Sequence, residues 1–189
     1  MNKAVFLDRD GVVNKLVFNS KSKEFEPPFE VRDFIFKEFV LESLQKLYQN
    51  DYRLFIISNQ PDFAKGKTTL ENLYSVHSYF QKELEKNGIF FSSFNYCYHH
   101  PNGIVKEYSF DCDCRKPKTY FVEKSVLDFN INKLSSWFIG DRDSDIICGV
   151  NSGLKTILVL NPESESYTGN STPDFTVKNL QEAVKIILK

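Results

Sequence analysis

The chain has 189 residues, of which 41% are hydrophobic and 26% are charged, and this composition is ordinary for a globular protein with a core of its own. A formal net charge of −1 and the lack of a long basic block argue against a nucleic-acid-binding surface. No apolar run is long enough to span a bilayer, and no signal peptide precedes the first apolar run. We therefore expect a cytoplasmic protein without a membrane anchor.

Short apolar runs alternate with segments of helical period along the chain. The predicted strands are 4–7, 52–57, 91–98, 137–139, 156–160 and 175–177, and the predicted helices lie within 39–49, 68–88, 117–129, 145–152 and 180–188. The runs show no period of two, which is typical of strands that are buried on both faces. This pattern predicts an α/β fold with a doubly wound, mainly parallel sheet, in which residues 1–189 form a single domain.

Some segments between these elements have features of their own. The polar stretch 15–30 is equally compatible with a flap over a site and with a plain surface loop. Thr68 and Glu71 have the spacing of a capping box at the start of the second helix. His77 falls on the apolar stripe of that helix, so we expect it to pack in the core and not to bind a metal.

Polar residues follow several of the predicted strands directly. Two aspartates separated by one residue are, taken alone, more often a solvated turn than a site. Here, however, the pattern recurs, with Asp8 and Asp10, Ser58 and Asn59, Arg115 and Lys116, and Asp141 and Asp145. A doubly wound sheet brings such strand ends to one edge. Acids, a hydroxyl and a lysine gathered there indicate Mg2+-dependent phosphoryl transfer, in which acids hold the metal while the hydroxyl and cation hold phosphate oxygens.

These motifs resemble, in order, the four motifs of the haloacid dehalogenase superfamily of phosphohydrolases. The matching segments are Asp8-Arg9-Asp10-Gly11, Ser58-Asn59-Gln60, Lys116, and Gly140-Asp141 through Asp145. The resemblance implies that Asp8 is a nucleophile that forms an aspartyl-phosphate and that Asp10 is the general acid and base. It implies that Ser58 and Lys116 stabilise the phosphoryl group. It also implies that Mg2+ is held by the Asp8 carboxylate, the Asp10 backbone carbonyl and Asp141.

Asp145 has two interpretations in this pattern. It is either a partner for Lys116 or for a metal-bound water, or an ordinary acid in the first turn of a helix, where the helix dipole favours negative charge.

Three cysteines and a histidine have the spacing of a structural zinc site. The set is Cys97, His99, Cys112 and Cys114, on a loop of about 97–114. Three thiolates and one imidazole form a closed tetrahedral zinc set, and the i, i+2 spacing within each pair points both ligands to one face of an extended segment. His100 points the opposite way and is not expected to be a ligand, and Cys148 is expected to lie in the core. The zinc loop would hold Arg115 and Lys116 over the phosphate.

This loop is similar to that of the D-glycero-D-manno-heptose 1,7-bisphosphate phosphatases and of the histidinol-phosphate phosphatases. The resemblance to the heptose enzymes implies that Arg115 and Arg142 contact the substrate. It implies the same for the segment from Ser58 to Pro61, which contains Asn59 and Gln60. The chain has no room for a separate cap domain, so we expect an open mouth shaped by loops. Lys65 and Lys67 add basic character that could meet a second phosphate.

Several functions fit these observations to different degrees. The leading hypothesis is a monomeric Mg2+-dependent phosphatase that removes the 7-phosphate of a heptose 1,7-bisphosphate, a small phosphorylated sugar. Histidinol phosphate or another small sugar phosphate is the alternative substrate, and the three basic residues Lys65, Lys67 and Arg142 favour the bisphosphate. A non-catalytic, zinc-stabilised binding module is less favoured because every expected catalytic position is present. The near-neutral charge argues against a phosphatase of nucleic-acid ends.

Overall fold

The computed structural model describes residues 1–189, and its helices and the strands of its main sheet follow the predicted order. The strands are β1 (Lys3–Leu7), β2 (Val17–Asn19), β3 (Glu24–Glu26), β4 (Tyr52–Asn59), β5 (Ser93–Cys97), β6 (Trp137–Gly140), β7 (Lys155–Val159) and β8 (Phe175–Val177). The helices are α1 (Val40–Gln49), α2 (Leu70–Lys86), α3 (Tyr120–Asp128), α4 (Asp143–Asn151) and α5 (Leu180–Ile187). None of these helices combines the length and the apolar character needed to cross a membrane.

Six strands form one parallel sheet in the order β5-β4-β1-β6-β7-β8. The first strand lies between the fourth and the sixth, with Leu7 opposite both Ile56 and Ile139. From β1 the chain therefore builds the sheet outward in both directions. In open α/β sheets a crevice forms at the carboxyl ends of the strands where this change of direction occurs. This architecture confirms the predicted doubly wound fold and places the end of β1 at that crevice.

Both faces of the sheet are covered, which explains the unbroken apolar runs. Alternate side chains of a strand point to opposite faces. Val5 and Leu7 pack into the larger core layer with α1, α2 and α5, whereas Ala4 and Phe6 pack into a second layer with residues of α3 and α4. In this second layer Phe6 stacks on Phe55 with ring centroids 4.8 Å apart. The two layers make the sheet a rigid platform for the loops at its edge.

Several helix starts differ from the sequence-based expectation by one to three residues, among them that of α4, which begins at Asp143 and not at residue 145. The residue that caps α2 is Thr69 and not Thr68, since the Thr69 hydroxyl accepts a hydrogen bond from the Asn72 amide at 3.1 Å. The third helix begins at Tyr120, three residues beyond Pro117, which follows Lys116 through a cis peptide bond. Adjacent threonines offer the same capping chemistry, so sequence spacing alone does not choose between them.

The stretch 15–30 contains a small antiparallel hairpin, β2–β3, that the sequence did not predict. Each strand has only three residues, too few to show a period of two. The hairpin is fastened at its base by the buried carboxylate of Glu26, which accepts hydrogen bonds from the Asn19 amide and the Ser22 hydroxyl. Glu26 also pairs with the Lys67 ammonium, which ties the hairpin to the loop after β4.

We predict that Phe138→Ala lowers the free energy of unfolding by about 3–5 kcal/mol, because Phe138 is fully buried in the second core layer and the substitution leaves a cavity. Urea denaturation measures this loss. The exposed Phe90 serves as the control, and Phe90→Ala should cost less than about 1 kcal/mol. Equal losses for the two variants would contradict the assignment of Phe138 to the core.

Candidate active site

A buried ion-pair network lies at the carboxyl end of β1. The Lys116 ammonium donates to Asp8 Oδ1 at 2.6 Å and to the Ile57 carbonyl oxygen at 2.6 Å. It also pairs with Asp145 Oδ1 at 2.7 Å. Lys116 is 3% exposed, so this charge depends on its partners and not on water. The network joins the ends of β1 and β4 to the start of α4. It contains the pairing of Asp145 with Lys116 that was one of the two interpretations of Asp145.

The start of α4 is shaped to bring Asp145 to this lysine. The Arg142 amide donates to Asp145 Oδ2 at 3.1 Å, which leaves Oδ1 for the ammonium. A Cβ atom at Gly140 would lie only 2.1 Å from the Asp145 Cβ, so a larger residue at position 140 would displace the acid. Close packing against Asp145 therefore requires glycine at position 140.

Asp141 is oriented by the loop after β7. Its Oδ2 accepts hydrogen bonds from Asn161 Nδ2 at 3.0 Å and from the Ser164 hydroxyl at 2.5 Å. Its Oδ1 is buried and has no hydrogen-bond partner. At Gly11 the backbone has a φ of +89°, and a Cβ there would lie 1.9 Å from Asp141 Oδ2, so only glycine fits. An acid with one oxygen held and the other free is suited to ligate a cation.

Ligand oxygens of three acids lie within 4.8 Å of one another, namely those of Asp8, Asp141 and Asp145. Burial raises the pKa of Asp8 to about 6, and the charges of Asp145 and Asp10 add to the effect while Lys116 opposes it. Burial likewise raises the pKa values of Asp141 and Asp145. For Lys116, burial disfavours the charge, but Asp145 and Asp8 outweigh it and raise the pKa. Three acids against one buried ammonium favour a bound divalent cation, and hard oxygen ligands suit Mg2+.

Asp10 is held by hydrogen-bond donors on both carboxylate oxygens. Arg9 donates to both oxygens at 2.9–3.1 Å, and Asn14 Nδ2 donates to Oδ1 at 2.9 Å. Gln60 Nε2 donates to Oδ2 and also to the Ser58 hydroxyl oxygen at 3.1 Å. Arg9 and Asn14 were not among the expected site residues. The Asp-Arg-Asp triplet alone could have suggested Arg9, whereas nothing in the sequence points to Asn14.

Of the residues that we expected to contact the substrate, some line the cavity and one does not. Asn59, Arg115 and Arg142 line a cavity of about 350 Å3 above the ion-pair network. Gln60 is completely buried beneath it, against Asp10. Asn59 also holds the backbone of Lys116, because it accepts from the Lys116 amide at 3.0 Å and donates to the Lys116 carbonyl at 3.1 Å.

The cavity rim carries an excess of basic groups. The basic side chains that line the cavity are Lys65, His100, Arg115, Lys116 and Arg142. Burial lowers the pKa of Lys65, and the charges of Lys67 and Arg115 add to the effect while Asp62 opposes it. Tyr167 lies 4.4 Å from the Arg142 guanidinium, a cation–π contact. The contributions of His100 and Tyr167 were not expected from the sequence. Lys67 is engaged by Glu26 and does not line the cavity.

The second cluster contains the four predicted zinc ligands. Cys97, His99, Cys112 and Cys114 bring their donor atoms together, and the structure contains no disulfide. The three Sγ atoms lie 3.2–3.4 Å apart, and His99 Nδ1 lies 3.4 Å and 3.8 Å from the sulfurs of Cys114 and Cys97. These spacings are close to the edges of a tetrahedron with metal–ligand bonds of about 2.0–2.3 Å. The cluster could therefore bind a zinc ion. Cys148 lies apart, buried in the second core layer.

The loop that carries this cluster braces a second loop of the cavity. The Ala64 carbonyl accepts hydrogen bonds from the amides of Ile104 at 2.7 Å and Val105 at 3.1 Å. Tyr108 packs edge-on against Phe63, with ring centroids 4.9 Å apart. The cysteine-rich loop thus contacts the segment that carries Lys65, in addition to leading directly into Arg115.

Comparison with known proteins places these features in a family. A family model for haloacid dehalogenase (HAD)-hydrolase-like proteins matches residues 113–183. The D-glycero-D-manno-heptose-1,7-bisphosphate 7-phosphatase of Chlorobaculum tepidum is 33% identical over 190 aligned positions, covering 96% of this chain and 92% of that protein. The D-glycero-beta-D-manno-heptose-1,7-bisphosphate 7-phosphatase of Haemophilus ducreyi is 29% identical, with 98% of each chain covered.

A solved structure has the same fold over nearly the whole chain. The D,D-heptose 1,7-bisphosphate phosphatase of B. bronchiseptica, solved in complex with magnesium and phosphate, superposes with a TM-score of 0.81 and covers 98% of both chains. Its sequence identity is 22%, so this likeness concerns the fold.

Cation binding at the acid cluster should weaken as the pH falls through about 6. Burial raises the pKa of Asp8 to about 6, so Asp8 is ionised above this pH and protonated below it, and protons then compete with the metal. We expect saturating Mg2+ to raise the thermal midpoint clearly more at pH 8 than at pH 5. Differential scanning fluorimetry measures this shift.

Two variants control this measurement. Asp8→Asn should give a small Mg2+ shift at both pH values, whereas Asp51→Asn, a change at an exposed residue, should behave as the unmodified chain. An equal Mg2+ shift at pH 5 and pH 8 in the unmodified chain would contradict the role of Asp8 as a ligand.

Proposed function

Because the chain belongs to the HAD-like hydrolases, in the group of the D-glycero-D-manno-heptose-1,7-bisphosphate 7-phosphatases, we propose that it removes the 7-phosphate of a heptose 1,7-bisphosphate. The chain is a phosphatase of this superfamily. The observation that carries the proposed activity is the network at the end of β1, where Asp8 pairs with the Lys116 ammonium and forms the acid cluster with Asp141 and Asp145. We further propose that residues 1–189 act as one domain and as a monomer.

Asp8 is proposed as the nucleophile. One of its carboxylate oxygens attacks phosphorus, the bond from phosphorus to the sugar oxygen breaks, and an aspartyl-phosphate forms. Lys116 supports this step in two ways, since its ammonium orients Asp8 through Oδ1 and offers positive charge to the phosphoryl oxygens. Ser58, at the end of β4, is proposed to donate its hydroxyl to the same oxygens.

Asp10 is proposed to move the protons of both steps. In the first step it donates a proton to the departing sugar oxygen. In the second step its carboxylate accepts a proton from water, which attacks phosphorus and releases phosphate while Asp8 is restored. The position of Asp10 supports this role, because it follows Asp8 by two residues and lines the same cavity.

The acid cluster fits a magnesium ion by the criterion of its unpaired donors, above all the buried and unpartnered Asp141 Oδ1. We propose that Asp8, Asp141 and the backbone carbonyl of Asp10 hold Mg2+. When bound, this ion neutralises negative charge on the phosphoryl group and on Asp8. Asn161 and Ser164 keep Asp141 in the orientation that leaves its other oxygen free.

The cationic rim supports a substrate with a second phosphate. We propose that Arg115 and Arg142 contact the substrate, together with Asn59, and that Lys65 adds to the positive field. Burial and the charges of Arg115 and Lys65 lower the pKa of His100, so it contributes a neutral imidazole at neutral pH. Besides Lys116, three cationic side chains line the cavity, which is more positive charge than a single reacting phosphate requires. Gln60 is proposed to support Asp10 from below, because it is buried and contacts that carboxylate.

We propose that Cys97, His99, Cys112 and Cys114 bind a structural zinc ion. The donor set of three thiolates and one imidazole is closed, with no open position for substrate. The loop it closes leads into Arg115 and braces the segment around Ala64. Zinc would thereby preserve the positions of the rim residues without taking part in the reaction.

The substrate assignment predicts a ranking of rates. We expect kcat/KM for heptose 1,7-bisphosphate to exceed that for histidinol phosphate by at least about tenfold, because the cationic rim favours a doubly phosphorylated anion over one that carries an ammonium group. Steady-state phosphate release measures both values. A clear preference for histidinol phosphate would overturn this assignment while leaving the phosphatase chemistry intact.

The same assay tests the nucleophile. Asp8→Asn should reduce phosphate release on the order of 10^4-fold or more, with an unchanged circular dichroism spectrum. The control Asp51→Asn, at an exposed residue, should retain full activity. Substantial turnover by Asp8→Asn would exclude Asp8 as the nucleophile.

The zinc assignment predicts about one equivalent of zinc per purified chain and a lower thermal midpoint after chelation, because structural zinc contributes folding free energy. Cys112→Ser should lose most of the zinc, as measured by elemental analysis. The matched control is Cys148→Ser, outside the cluster, which should keep it. Full zinc content in Cys112→Ser would count against the site.

A further inference from the structure

We propose that Arg9 is a positioning residue for the phosphatase reaction, and that its guanidinium holds the Asp10 carboxylate in the orientation in which it exchanges protons with the departing sugar oxygen. This inference rests on the proposed function, because it takes Asp10 as the general acid and base. Arg9 itself does not line the cavity, so it reaches the substrate only through Asp10.

The contacts between Arg9 and Asp10 define the plane of the carboxylate. Arg9 Nε donates to Oδ1 at 3.1 Å, and Nη2 donates to Oδ1 at 2.9 Å and to Oδ2 at 3.0 Å. A guanidinium is a planar fork, so a pairing of this kind sets the angle of the carboxylate as well as its position. Asn14 and Gln60 each add one donor, to Oδ1 and Oδ2 respectively.

Arg9 is itself unable to move away from Asp10. Its side chain is completely buried, and Asp10 is its only ion-pair partner. Its Nη2 atom also donates to Gln60 Oε1 at 3.0 Å. The guanidinium lies 5.7 Å from the ring centre of Tyr96, which in turn stacks on His77 with centroids 3.6 Å apart. Because a buried charge without a partner is costly, separating the guanidinium from the Asp10 carboxylate would be unfavourable.

The side chain of His77 is uncharged and therefore does not repel the Arg9 guanidinium. Burial lowers the pKa of His77 to about 2, and the charge of Arg9 adds to the effect, so the imidazole is neutral. The aromatic pair of His77 and Tyr96 therefore supports the guanidinium by packing and not by charge. The result is a rigid connection from α2, through β5 and Arg9, to the acid at the end of β1.

A positioning role can be distinguished from a purely structural role, because only the former makes the effect of a substitution on kcat/KM depend on the leaving group. Expulsion of a sugar alkoxide requires a proton from Asp10, whereas nitrophenolate departs readily without one. The value of kcat/KM reports the steps up to departure of the alcohol. A residue that acts through the general acid must therefore affect an alkyl phosphate much more than p-nitrophenyl phosphate.

The test measures kcat/KM of Arg9→Lys on heptose 1,7-bisphosphate and on p-nitrophenyl phosphate. General acid catalysis is worth about 10^2–10^4-fold, so a misplaced acid should cost about 10–100-fold on the sugar phosphate and less than about threefold on the nitrophenyl ester. The control Arg53→Lys, at an exposed arginine outside the site, should leave both values unchanged. Equal losses of Arg9→Lys on both substrates would overturn the inference.

Asp10→Asn is the reference that separates this inference from the proposed function. If Asp10→Asn shows no dependence on the leaving group, the role of Asp10 itself is wrong. If Asp10→Asn shows it and Arg9→Lys does not, only the inference about Arg9 fails. In the double variant, adding Arg9→Lys to Asp10→Asn should cost less than about threefold further on the sugar phosphate, because the carboxylate that Arg9 orients is already gone.

Asn14→Leu keeps the test decisive if Arg9→Lys does not fold. This variant removes the amide that donates to Asp10 Oδ1 and to the Lys15 carbonyl oxygen, while the Arg9–Asp10 ion pair remains. We expect the same selective loss on the sugar phosphate, of about 3–10-fold. A loss that is equal on both substrates would contradict the proposal that donors around Asp10 act by orienting it.

Discussion

The buried ammonium of Lys116 is the interaction on which the site depends. It binds two carboxylates and a carbonyl oxygen that come from the ends of two strands and the start of a helix. Each of these groups would be costly to bury alone, so their positions are mutually determined. The sheet makes this possible, because parallel strands bring their carboxyl ends to one edge and both faces are closed by helices.

The charges around this lysine do not balance, and the imbalance explains the rest of the site. Asp8, Asp141 and Asp145 face a single buried ammonium. Burial raises the pKa values of all three acids, their mutual repulsion adds to the effect, and Asp141 Oδ1 has no partner. A divalent cation, if bound as proposed, would supply the charge that the protein lacks at this point. Toward the mouth the balance reverses, and the basic rim is suited to an anionic substrate. The cavity thus changes from a cation-binding floor to an anion-binding rim.

The loops of the rim are connected to one another rather than independent. The cysteine-rich loop contacts the segment around Ala64 through two backbone hydrogen bonds and the packing of Tyr108 on Phe63. That segment in turn holds the hairpin β2–β3 through the pairing of Lys67 with Glu26. On the opposite side, the loop after β7 orients Asp141 through Ser164 and contacts Arg142 through Tyr167. Disturbing one loop should therefore move residues on its neighbours.

The sequence by itself determined the order of the six sheet strands and the five helices, the gathering of Asp8, Lys116 and Asp141, and the four-residue cysteine and histidine cluster. These follow from local patterns and from a topological rule that needs no side-chain geometry. Only the tertiary structure decided which side chains of the loops reach the cavity. Lys65 and His100 line it, whereas Lys67 binds Glu26 and Gln60 turns inward to Asp10. The orientation of these side chains depends on partners that are distant in the chain, because a buried polar or charged group must be paired by whichever group the fold brings next to it. The spacing of residues in the sequence does not show which group that is.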